Sequence, residues 1–215
     1  MNNLPMQFVE NGNADVIFNC RKTKKNIFLI GDSIRKLYCA TVREDMQDEA
    51  EVFYVDDNCR SSQYIIFSMK KWAAMFDRPD LVDMVQFNCG QWDTAHFNGL
   101  PYSLTSPEEY RKNIHCIILQ IQKFFPNAKI IFATTTPMNP VGGSTGGLNP
   151  RSNDEVDLYN KIALEVCAEY GVEINDLNGF MRDFGEEAYK DTCHPTKETA
   201  QLLGNEVARF LRQYF

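Results

Sequence analysis

Apolar residues along the chain gather in five short runs, at 26–31, 51–55, 81–88, 129–135 and 172–176. The first holds four in a row, Ile27, Phe28, Leu29 and Ile30, as expected of a strand in a sheet covered on both faces. Between and after the runs, at about 34–47, 61–76, 106–125, 153–170 and 196–214, apolar positions recur at helical spacing. In the last of these, Ala200, Leu203, Val207, Phe210 and Leu211 share one face. Strand–helix alternation of this kind predicts an α/β chain. The expected architecture is a three-layer α/β/α sandwich around a five-stranded parallel sheet of flavodoxin-like order, with ligands at the carboxyl ends of the strands. With no repeat and no linker, residues 1–215 read as one domain. Residues 1–25 form an N-terminal extension, in which 14–20 is a candidate short extra strand. Residues 137–150, PMNPVGGSTGGLNP, can continue neither helix nor strand. Their place after the fourth strand suits either a surface loop or an active-site rim.

Composition narrows the partners. A formal net charge of -7 and a pI near 5.0 argue against nucleic acid or an anionic membrane. No apolar stretch reaches transmembrane length, so membrane insertion is not expected. Seven cysteines, an odd number without a C-x-x-C pair, fit reduced thiols better than a disulfide framework or structural zinc. The opening MNNLPMQFVENGNAD has neither a basic n-region nor an apolar h-region. A cytoplasmic location is therefore the expectation.

The first strand stops at Gly31-Asp32-Ser33, where a helical pattern begins. Ser33 reads in two ways from this stretch: an N-cap, or a nucleophile at a helix N-terminus whose free N–H groups favour developing negative charge. Of the three histidines, His115 lies inside a helical pattern, and His96 follows the third strand near the expected cleft. His194 is preceded by Asp191 in KDTCHPTKETAQLL, just before the last helix. A D-x-x-H step in a tight loop lets the carboxylate reach Nδ1–H and leaves Nε2 to face a hydroxyl. Cys193, beside this histidine, raises a rival thiol chemistry, but adjacent residues of an extended loop point apart. No H-E-x-x-H or other metal spacing occurs, so no metal and no cofactor are expected.

Taken together, GDS at 31–33 after the first strand, VQFNCGQWD at 85–93 after the third and DTCHPT at 191–196 before the last helix resemble the conserved blocks of the SGNH hydrolases, the GDSL esterase/lipase superfamily. The resemblance runs over nearly the whole chain. It implies Ser33 as nucleophile, His194 as general base and Asp191 as its orienting partner. It also implies an oxyanion hole built from the Ser33 N–H, a main-chain donor of the second block and an asparagine of the third. Two blocks depart from the family pattern. The second, DDNCRSSQY at 56–64, has no glycine, so Arg60 or Cys59 would supply the main-chain donor. The third carries Trp92 where the family has its asparagine, and Asn88 is the preferred replacement, with a strand-end cap as its alternative role. Gly90, Trp92 and Asp93 are expected at the substrate. The implied activity is hydrolysis of a small-molecule ester, leaning through the polar rim toward an acetylated sugar. A lysophospholipase or thioesterase of the same superfamily and a glycan-binding relative without activity are the alternatives. A nucleotide-binding module is disfavoured by the lack of a phosphate loop.

Overall fold

In the computed structural model, which describes residues 17–141 and 149–215, the five apolar runs become five parallel strands. These are β1 (Lys25–Ile30), β2 (Ala50–Tyr54), β3 (Met84–Phe87), β4 (Lys129–Ala133) and β5 (Glu173–Asn175), in the order β2-β1-β3-β4-β5. Along β1, Ile27 and Leu29 enter one core and Phe28 and Ile30 the other. Both faces are covered, which is why the run is apolar without alternation. β3 is shorter than its apolar run, because Leu81 belongs to a 3-10 turn and Asn88 lies just beyond the strand.

Among the described residues six α-helices complete the layers: α1 (Ser33–Asp45), α2 (Ser62–Ala73), α3 (Pro107–Phe124), α4 (Asn153–Tyr170), α5 (Leu177–Arg182) and α6 (Lys197–Leu211). Leu203, Val207 and Leu211 of α6 join Ile34, Tyr38 and Val42 of α1 in the core on one side of the sheet. Trp72 of α2, Ile117 and Ile121 of α3 and Val166 of α4 join that on the other. Ser106 and Ser152 open α3 and α4 as capping boxes with Glu109 and Glu155. The six-residue α5 is absent from the sequence reading, since it is too short to display a period and is set by the Asp176 side chain accepting from Gly179 N (3.0 Å).

The extra strand expected at 14–20 lies only partly within the described residues. Within the described part of that segment Phe18 makes one isolated bridge to Phe76, its ring packed among Phe28, Phe53 and Phe76. Residues 14–16 lie outside the described residues, as do 142–148 of the glycine-rich loop. Among the described residues no helix is long and apolar enough to cross a membrane. The chain order reverses between β1 and β3, and at this switch point the carboxyl ends of both strands open a crevice.

Candidate active site

Ser33 enters that crevice as the first residue of α1. The cap is Asp32, whose carboxylate accepts from Ile34 N (2.9 Å), so the capping reading of Ser33 is corrected and its hydroxyl is left for other work. The turn requires glycine at position 31: a Cβ there would stand 1.9 Å from Asn88 Oδ1. On the far side, the loop before α6 folds back through the Tyr189–Pro195 bridge and presents His194. His194 Nε2 lies 2.8 Å from Ser33 Oγ, across 161 residues of sequence. Its Nδ1 is 2.8 Å from Asp191 Oδ2 and 3.0 Å from Oδ1. With a carboxylate at Nδ1, that nitrogen carries the proton and Nε2 can accept from the serine hydroxyl.

Asp191 is itself held in place, its Oδ1 accepting from Cys193 N (3.0 Å) and His194 N (2.8 Å). Burial alone would raise its carboxyl, but those two N–H groups and the His194 ring outweigh burial and hold it below the usual carboxylate range. Burial pushes the Cys193 thiol up to about 11, so it stands protonated beside His194 at neutral pH and is a poor nucleophile. Asp191, Cys193 and His194 offer ligand atoms within 4.8 Å of one another, yet in this arrangement the carboxylate and Nδ1 are bonded to each other and the thiol is neutral.

The oxyanion side departs further from expectation. Asn88 N donates to Ile30 O (3.0 Å), and the buried Asn88 side chain packs against the Gly31 turn, beside the nucleophile. Arg60 replaces glycine in conformation, with φ of +48°, but its N–H donates to Asn58 Oδ1 (3.0 Å) instead of the crevice. Cys59 N donates to Gly31 O (3.1 Å). Neither second-block N–H is therefore free for an oxyanion, and the Arg60 guanidinium lies over the Tyr64 ring.

Two of the three expected substrate contacts are structural. Gly90 is buried with φ of +147°, and a Cβ there would meet Thr135 Oγ1 at 2.2 Å, so it serves the close packing of β3 against the end of β4. Asp93 is fully buried and accepts from Ser62 N and Ser62 Oγ (2.6 Å), tying the start of α2 to the turn after β3. Trp92 remains partly exposed, with its ring centroid 5.9 Å from that of Phe97. Burial raises the Asp93 carboxyl to about 6. Its folded pKa thus exceeds the unfolded value near 3.9, so its stabilising share is complete below about pH 4 and is lost as pH rises through 6. Relative to wild type, Asp93→Asn is expected to gain stability steadily between about pH 4 and 6, by roughly 2–3 kcal/mol, in urea midpoints measured across that window. A pH-independent difference would show that Asp93 does not titrate there.

Sequence reasoning missed Arg35. Its guanidinium is buried in α1 and donates to Val55 O (2.9 Å), Gly31 O (3.1 Å) and Asp57 O (2.5 Å), stapling the loop after β2 to the serine turn. The signal was an arginine inside the stripe Ile34, Tyr38, Cys39 and Val42. Arg151 Nε donates to Gln91 O, tying the segment before α4 to the turn after β3. His96 does not serve the crevice: its ring bonds Leu100 O (2.8 Å) and Glu155 (2.5 Å). His115 is a helix-face residue, as expected, against Tyr170 Oη (3.1 Å).

A serine, histidine and aspartate in relay at the switch point of a flavodoxin-like sheet define an SGNH-type hydrolase fold. Residues 89–202, just over half of the chain, match the GDSL-like lipase/acylhydrolase family, and the chain belongs to it. That segment contains Asp191 and His194 but begins after Ser33. A rice protein, GDSL esterase/lipase WDL1 from Oryza sativa subsp. japonica, is 25% identical over 144 residues, 63% of this chain and 55% of that protein. This chain thus spans about half the length of that relative. The structure of a lipase/acylhydrolase from Enterococcus faecalis superposes with a TM-score of 0.69 at 20% identity, covering 88% of this chain and 96% of the other. Est24, a carbohydrate acetylesterase from Sinorhizobium meliloti, superposes with a TM-score of 0.67 at 14% identity, covering 89% and 100%. At these identities the two structures speak for the fold alone.

Proposed function

We propose that the protein is a serine ester hydrolase working through an acyl-enzyme, and the observation that carries this is the Ser33–His194–Asp191 relay. Ser33 Oγ attacks the ester carbonyl while Nε2 of His194 takes its proton. Asp191 holds the imidazole in the tautomer that permits this. His194 then protonates the leaving alcohol and activates water for deacylation. The negative charge that grows on the carbonyl oxygen meets the Ser33 N–H at the start of α1 and the side-chain amide of Asn88.

The substrate we infer is a small acyl ester, an acetyl group on a polar alcohol such as a sugar. Trp92 supports it with a partly exposed indole able to stack on a sugar ring. The fold shared with a carbohydrate acetylesterase is consistent with this reading. Hydrolysis of acetylated xylo-oligosaccharides and of p-nitrophenyl esters of increasing acyl length tests it. Acetyl preference is expected, and faster turnover of long acyl chains would reject it. Asn88→Ala is expected to lower kcat by about a hundred- to a thousand-fold with little change in KM, as loss of one oxyanion donor does. Near-normal kcat would return Asn88 to a structural role.

A further inference from the structure

Behind the nucleophile lies a second, internal feature. A cavity of about 10 Å³ is bounded by Asp32, Ile34, Tyr38, Asn88, Gln91 and Thr136, among others. Four of those lining residues each carry a buried polar atom without a hydrogen-bond partner among the described residues: Asp32 Oδ2, Asn88 Oδ1, Gln91 Oε1 and Thr136 Oγ1. Their residues are only 0%, 7%, 3% and 3% exposed. Buried polar atoms are seldom left unpaired, and four around one small space call for a common partner. The space suits one water, which needs roughly 10–15 Å³ and two to four polar neighbours.

The chemistry of the four atoms says what that partner must do. With Asp32 ionised, three of the atoms only accept; a water can donate to two of them while accepting from Thr136 O–H. Gln91 cannot turn to help, because its Nε2 is committed to Thr136 O (2.9 Å). We infer that a single structural water binds here, donating to Asp32 Oδ2 and Asn88 Oδ1, accepting from Thr136 Oγ1, and so orienting the Asn88 amide. The site is independent of the reaction; its effect on rate rests on the reading of Asn88 as an oxyanion donor. With Oδ1 held inward, the Nδ2 end is the one available to substrate. Asp32 joins the network from the residue before Ser33, so the water links the nucleophile turn, the end of β3 and the segment after β4. Thr136 is then a positioning residue that touches no substrate.

The test has two parts. A crystal structure at atomic resolution is expected to show a density peak about 2.7–2.9 Å from Asp32 Oδ2, Asn88 Oδ1 and Thr136 Oγ1. An unoccupied cavity overturns the proposal. So does a peak at metal-ligand distances of about 2.4 Å accompanied by sodium-dependent activity, which would make the site a cation site. In kinetics, Thr136→Val is expected to lose the peak and lower kcat about tenfold at unchanged KM, while Thr136→Ser retains both peak and rate. Wild-type kcat in a Thr136→Val protein that has lost the water overturns the positioning role. A water present in wild type together with an active Asn88→Ala variant would instead defeat the oxyanion reading and leave the water site standing.

Discussion

Ser33→Ala is expected to lower p-nitrophenyl acetate hydrolysis by about 10⁴- to 10⁶-fold while leaving the folded structure intact. The size follows from the site's construction. The hydroxyl 2.8 Å from His194 Nε2 is the atom that forms the acyl bond, so no other group can share its task. The helix cap is supplied by Asp32, so removing the Ser33 hydroxyl costs α1 no capping bond. Denaturant midpoints of the variant should therefore stay close to wild type, separating loss of chemistry from loss of fold. A serine-reactive fluorophosphonate should label wild type at Ser33 and fail to label the variant. Labelling at another serine would remove Ser33 from the mechanism.

Asp191→Asn should be nearly as damaging, on the order of 10⁴-fold in kcat. An asparagine at 191 has one acceptor oxygen, and the N–H groups of Cys193 and His194 both seek it at the place Oδ1 now holds. The NH₂ end would then face His194 Nδ1, which must accept, pushing the ring proton to Nε2. In that tautomer the imidazole cannot take a proton from Ser33. The variant should thus bind substrate normally and turn it over slowly. A loss of less than tenfold would show that Asp191 does not orient the ring. A stability readout carries the opposite sign to that of Asp93. The folded carboxyl of Asp191 lies below its unfolded value, so its stabilising share is present above the unfolded pKa and lost as pH falls through the folded one. Wild type should lose its advantage over Asp191→Asn on acidification.

Much of this was legible along the chain, for physical reasons. A strand buried on both faces leaves an uninterrupted apolar run, and a helix on a sheet leaves a 3.6-residue stripe. Both come from local periodicity, so the five strands and five long helices could be read directly. Ser33, Asp191 and His194 were also legible, because a strand–Gly–helix turn and a short D-x-x-H loop bind each group to its own local frame. What no local pattern encodes is which side chain reaches which across the fold. Only packing decided that Asp32, one residue before the serine, takes the cap. Packing also buried Asp93 against Ser62 and turned Arg60 N–H toward Asn58. It enclosed four unpaired oxygens from three separated segments around one cavity. Sequence settled the layers and the chemical groups, since those follow from short-range periodicity and turn chemistry. Tertiary structure decided which polar groups face the crevice and which are consumed in holding it together, because each buried donor or acceptor is matched through contacts between residues far apart in the chain.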